Sequence, residues 1–166
     1  PIKMMLASRV PYKEIPEKMG IPFYAEYKYD GERVQVHKKG AKITLFSRHL
    51  RNISDMYPDV IEAVSTQINV EDIVFEGEIV AMDSFYEKML PFQVVSVRRR
   101  KYNVEEMVKK VKVTLFAFDL LYMNKGQDSS DAIMVMNMPL EERRKILKDT
   151  IKNTEQLRVS EGKYIH

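Results

Sequence analysis

The sequence predicts an α+β fold in which helices flank mostly antiparallel sheets, and three observations carry that prediction. The first is a succession of short alternating runs, Phe23–Tyr29, Val34–His37 and Ile43–Phe46, joined by brief glycine-containing connections. That spacing suits an antiparallel meander. The second is a pair of apolar runs, Ile73–Ala81 and Lys112–Tyr122; the latter is apolar enough to be a strand buried on both faces. The third is helical periodicity in the segment starting at Tyr57-Pro58, where Val60, Ile61, Val64 and Ile68 recur on one side.

The 166 residues make one domain, or one large domain cut short, that buries about two thirds of its unfolded surface. A hydrophobic content of 45% and a charged content of 31% suit a globular chain. No apolar run is long enough to span a bilayer, and Pro1–Val10 has no signal-peptide pattern. The absence of cysteine excludes disulfides and thiolate zinc sites. A net charge of +3 and a pI near 9.0 permit a polyanionic partner without demanding one. A start at Pro1 rather than methionine suggests an excised piece.

In order, Pro1–Val10 is a short apolar arm, and Pro11–Gly20, with two prolines, is a loop or a broken helix. The run Tyr24–Arg33 reads as a strand turning at Asp30-Gly31. Alternation puts Glu26 and Lys28 on one face, with Phe23, Ala25 and Tyr27 toward a core. Lys38-Lys39-Gly40 makes the next turn, and Asp83–Pro91 reads as a loop. Phe92–Lys101 reads as a helix with a basic end, and Val104–Val111 as a short amphipathic helix. Asn124–Asn137 is expected to be a mobile loop. Pro139–Leu147 starts with proline and acids and turns basic, which suits a helix. Gln156–Val159 is a last short strand and Gly162–His166 a frayed end.

Several residues carry chemistry. A lysine amine such as Lys28 becomes a nucleophile once its free pKa of about 10.4 is overcome by burial or nearby cations. Arg33 or a metal could supply the cation, and Glu26 more naturally faces a ligand. The bland reading is a hairpin with Glu26 and Lys28 as a solvated pair. Arg33 and Arg48 together suit phosphate, which arginine binds through a planar fork. Glu76 and Glu78 share one face of an apolar strand, where carboxylates need an ion partner or a metal. Arg98, Arg99, Arg100 and Lys101 form a run that either contacts nucleic-acid phosphates or is a solvated face. His37 has no base partner or metal-ligand spacing and reads as a half-exposed strand residue. Phe116 and Phe118 read as core aromatics.

Lys28-Tyr29-Asp30-Gly31-Glu32-Arg33 resembles the lysine-any-Asp-Gly-any-Arg signature of covalent nucleotidyltransferases, and the run through His37 is similar to the archaeal and eukaryotic ATP-dependent DNA ligases. Phe46-Ser47-Arg48, Phe75-Glu76-Gly77-Glu78 and Phe118-Asp119-Leu120-Leu121 resemble later ligase motifs in family order. So do Pro91–Tyr102 and the Glu142-Arg143-Arg144 helix. The resemblance implies an ATP-grasp-like nucleotidyltransferase core. It implies that Lys28 takes AMP from ATP, that Phe118 stacks on adenine and that Glu26 accepts from its exocyclic amine. Arg33 and Arg48 would hold ribose or phosphates, Glu78 ribose or Mg²⁺, and Asp30 a metal or the nick. The cofactors would be ATP and Mg²⁺. The parent enzyme would seal nicked duplex DNA in replication, repair and recombination, as a monomer off the membrane, with a sliding clamp as partner. Its location would be the archaeal cytoplasm or a eukaryotic nucleus.

The resemblance covers nearly the whole chain, as the front two thirds or so of an adenylation domain, with the OB-fold and DNA-binding domains absent. Ser160-Glu161-Gly162-Lys163 lacks the continuation expected of the later Glu-Gly motif. The alternatives are an RNA ligase or mRNA-capping guanylyltransferase of the same superfamily, and a non-catalytic nucleic-acid-binding fragment.

Overall fold

The computed structural model describes residues 1–99, 103–126 and 132–166. A six-stranded sheet dominates it. Strands β2 (Glu32–Lys39), β3 (Lys42–Ser47), β4 (Asp72–Met82), β5 (Lys112–Asn124) and β6 (Ala132–Ile133) stand in the order β3-β2-β4-β5-β6, all antiparallel. A short β7 (Leu157–Val159) lies parallel to β5. A second, two-stranded sheet pairs β1 (Phe23–Glu26) with β8 (Gly162–Ile165).

Alternation along each strand gives the large sheet two unlike faces. Val34, Val36, Ile73, Phe75, Ile79, Ala81, Val113 and Leu115 point to one side. There they pack with Val60, Ala63 and Val64 of α2 (Pro58–Gln67) and Leu147 of α5 (Leu140–Thr150). The other side carries Arg33, Gln35, Glu76 and Glu78, continuing into an apolar patch of Val80, Met82, Phe116 and Tyr29. The acids at 76 and 78 are thus on this second face, hereafter the site face, by the same period of two that buries their neighbours. Between them, Gly77 lies where β4 and β5 approach closely: a Cβ there would sit 2.6 Å from the Phe116 carbonyl oxygen. The β4–β5 register shifts at Val74/Phe75 and at Glu76/Gly77, and bulges of this kind re-aim side chains.

The strands at 34–37, 43–46, 73–81 and 112–122 and the helices α2 and α4 (Val104–Lys110) stand where expected. Other expectations are corrected. β1 ends at Glu26, and its partner is β8 rather than β2, so Asp30-Gly31 is a crossing between sheets and not a hairpin turn. Period two fails beyond the strand end: Tyr27 is 68% exposed, while Tyr29 is buried and stacks on Phe116 with ring centroids 4.2 Å apart. The segment 162–166 is not frayed, because β8 supplies that sheet's second strand. The helix expected over 92–101 is α3 (Phe92–Ser96) followed by a tight turn to Arg99. Arg100 and Lys101 lie outside the described residues, as do residues 127–131 of the expected loop. The 11–20 segment agrees with the broken-helix reading: a tight turn over Tyr12–Glu14 followed by α1 (Ile15–Met19).

Candidate active site

Two adjoining grooves meet on the site face. The smaller, about 440 Å³, is lined by Glu26, Lys28, Arg33, Glu76, Glu78, Phe118 and Asp119, with Met5, Leu6 and Ala7 of the N-terminal arm. The larger, about 780 Å³, is lined by Lys28, Arg33 and Glu78 again, with Arg9, Arg48, Arg51 and Arg99. Lys28, Arg33 and Glu78 are therefore shared walls. Of the residues singled out from the sequence, Glu26, Lys28, Arg33, Glu78 and Phe118 come together in the smaller groove, and Arg48 joins three of them in the larger.

Lys28 projects from the link between β1 and β2 and is exposed; its amine lies 3.5 Å from the Tyr29 carbonyl oxygen. The link is pinned on both sides. Tyr29 is stacked on Phe116, and its hydroxyl accepts from the Glu161 N–H at 3.3 Å. Gly31 lies so close to β4 that a Cβ would fall 2.2 Å from the Ile79 carbonyl oxygen. That approach also lets the Gly31 N–H reach Glu78. Burial pushes the Glu78 carboxyl above its usual range, against the opposing pull of Lys28 and Arg33. A cation bound beside this partly desolvated carboxyl would favour its ionised form.

Glu76 needs no metal. Arg33 donates to its Oε2 at 2.5 Å and Gln35 to its Oε1 at 2.9 Å. Gln35 also ties the arm to the sheet through both polar groups of Ile2. The Arg33 guanidinium lies 5.4 Å from the Phe118 ring centroid, within cation–π range. Asp30 is near enough to Glu78 to raise its pKa, but it lines neither groove, and its Oδ2 accepts from the Phe92 N–H at 3.1 Å. No group of three His, Cys, Asp or Glu side chains that could enclose a metal occurs among the described residues. The donor set fits an ion held by one carboxylate and by ligand phosphates and water, as Mg²⁺ usually is.

The basic run divides sharply. Arg98 is 1% exposed and forms a paired bridge to Asp59 at 2.7 and 2.8 Å. It also donates to the Met56 carbonyl and lies over the Tyr57 ring. It is a core anchor, and contact with nucleic acid is closed to it. Arg99 is half exposed, bridges Glu32 at 3.1 Å and lines the larger groove. His37 pairs with Gln35 at 2.7 Å, and burial pulls it down to about 4.

Two residues lacked a role in the sequence reading. Arg143 forks onto Asp119 at 2.7 and 3.2 Å. Arg144, buried, donates to Glu26 Oε2 at 3.0 Å and to the Phe118 carbonyl at 3.1 Å. The signal available was the adjacent pair of arginines near the start of an amphipathic helix, which a solvated face explains equally well.

Comparison with known proteins follows the same lines. Residues 4–166 match the family model described as ATP dependent DNA ligase domain. The DNA ligase of Hyperthermus butylicus is 44% identical over 98% of this chain and 26% of its own length. That of Sulfolobus acidocaldarius is 41% identical over 99% of this chain and 27% of its own. The chain thus spans about a quarter of the length of these curated relatives. Among solved structures, the ligase domain of M. tuberculosis LigD superposes with a TM-score of 0.58 at 24% identity, over 84% of this chain and 39% of that one. It shares the fold. Among the described residues, no helix is long and apolar enough to cross a membrane.

Proposed function

Because the chain belongs to the ATP-dependent DNA ligase domain family, we propose that Lys28 is the nucleophile of a self-adenylylating site. Its unprotonated amine attacks the α-phosphorus of ATP, a phosphorus–nitrogen bond forms, and the bond to pyrophosphate breaks. The observation that supports this reading is the meeting of Lys28, Arg33 and Glu78 where the two grooves join. A nucleoside in the smaller groove and phosphates in the larger would bring the α-phosphorus to that junction. Phe118 offers an aromatic face to the base, worth about 1–3 kcal/mol. Arg48, Arg51 and Arg9 offer phosphate contacts, and fixed cations around a transferring phosphoryl group are the main source of its acceleration. Glu78 would hold Mg²⁺ alongside the phosphates. Bound there, the ion would neutralise phosphate charge.

In the whole protein the AMP would pass to the 5′-phosphate of a nick in duplex DNA, and the 3′-hydroxyl would then expel it. Of the described members of the basic run, half-exposed Arg99 would meet that DNA, since Arg98 is buried. The archaeal relatives favour a cytoplasmic setting; action as a monomer and a sliding-clamp partner belong to the same proposal.

Intact mass after incubation with ATP and Mg²⁺ tests the reading. A gain of one AMP, absent in Lys28→Ala, is expected. A GMP adduct from GTP would replace it with capping chemistry. Salt-dependent DNA binding without any adduct would replace it with a non-catalytic nucleic-acid-binding role.

A further inference from the structure

The two residues that would face a nucleobase come from different sheets: Glu26 ends β1 of the small sheet, and Phe118 lies on β5 of the large one. Their relative placement therefore depends on whatever joins the sheets at that point. Arg144 of α5 does so. Its Nη1 donates to Glu26 Oε2 at 3.0 Å, to the Phe118 carbonyl at 3.1 Å and to Ser160 Oγ at 3.0 Å. Its Nη2 donates to the Ser160 carbonyl at 2.6 Å, between β7 and β8. The guanidinium also lies 4.6 Å from the Tyr24 ring centroid on β1. Ser160 Oγ adds a second bond to the same oxygen of Glu26, at 3.2 Å.

We propose that Arg144 is a positioning residue for nucleobase selection, holding Glu26 Oε2 so that Oε1 is presented to an exocyclic amine. The inference rests on the reading of the smaller groove as a nucleoside site. Arg144 and Ser160 both bind Oε2, which fixes the plane of the carboxylate. An adenine amine donates to the remaining oxygen. Guanine places a carbonyl oxygen at the equivalent edge, and two acceptors repel. A carboxylate free to rotate would offer a weaker choice, because water could replace either oxygen. Burial raises the Glu26 pKa and Arg144 opposes that rise, so the same guanidinium favours the accepting, ionised form.

The test is equilibrium binding of ATP and GTP without divalent metal, so that no covalent step intervenes. Wild type, Arg144→Lys, Glu26→Gln and the double variant are compared. Wild type is expected to prefer ATP. Arg144→Lys should lower that preference about tenfold, the scale of one charge-assisted hydrogen bond. Glu26→Gln should lower it similarly, and the double variant no further, because Arg144 acts through Glu26. An unchanged preference in Arg144→Lys, or full additivity in the double variant, would overturn the proposal. Should Arg144→Lys fail to fold, Ser160→Ala decides: a reduced preference supports it and an unchanged one overturns it. If wild type binds ATP and GTP equally, Arg144 has no selective role, while Lys28 adduct formation still stands or falls by mass. If wild type binds neither, both readings fall.

Discussion

Replacing Arg98 separates a core anchor from a nucleic-acid contact. Arg98→Met keeps much of the aliphatic stem and removes the guanidinium. Asp59 then loses both of its arginine bonds in a site where its side chain is only 11% exposed. The Met56 carbonyl also loses its donor, and the Tyr57 ring its cation. Breaking a buried ion pair by removing one partner costs about 3–5 kcal/mol, and these losses overlap rather than add. A loss of about 4 kcal/mol is expected. Against a total stability of about 5–15 kcal/mol for a domain, that is a large fraction. Urea unfolding should show the midpoint falling with an unchanged slope. Arg99→Ala, at a half-exposed bridge, should stay within about 1 kcal/mol of wild type. Arg98→Met within that same margin, together with weaker DNA binding and a salt slope lowered by about one, would refute the burial argument.

Two further outcomes follow from packing and charge. Gly77→Ala should destabilise by about 1–3 kcal/mol in urea, because its Cβ meets the Phe116 carbonyl at 2.6 Å and Leu115 Cδ1 at 2.7 Å, and a backbone oxygen cannot move aside. His37 should titrate near 4 by NMR, well below the ordinary 6.5. Its folded pKa is depressed, so the unfolded chain binds the extra proton first; stability should fall as pH drops from about 6.5 toward 4, and His37→Gln should flatten that slope.

The strands and the acid pair were legible because burial imposes a period of two over long runs, as at Ile73–Ala81. Lys28, Arg33, Glu78 and Phe118 are singled out by resemblance, and the fold brings them to one groove. What failed had tertiary causes. The facing of Tyr27 was misread because β1 stops at Glu26, and period two has no force past a strand's last hydrogen bond. Arg98 was misread because cations in a run look solvated, and only the distant Asp59 makes one of them a core residue. Glu76 had an arginine partner, as one reading allowed, but its identity required the diagonal reach of Arg33 across β2 and β4. Arg144 was missed because its acceptors on β1, β5 and the β7–β8 link are scattered through the sequence.

The pairing of β1 with β8 also bears on the order in which the molecule assembles. Strands β2, β3 and β4 are near neighbours in sequence and can zip together early, whereas Phe23 must find Ile165 across most of the chain. Closing a loop of that length costs about 4 kcal/mol of chain entropy, which only a nearly complete structure offsets. Lys28 stands two residues beyond Glu26, the last residue of β1. A chain with β1 and β8 unpaired would thus keep its large sheet while the Lys28 link lost its anchorage on that side. The groove that Glu26 and Lys28 line is thus complete only once residues from both ends of this sequence have paired.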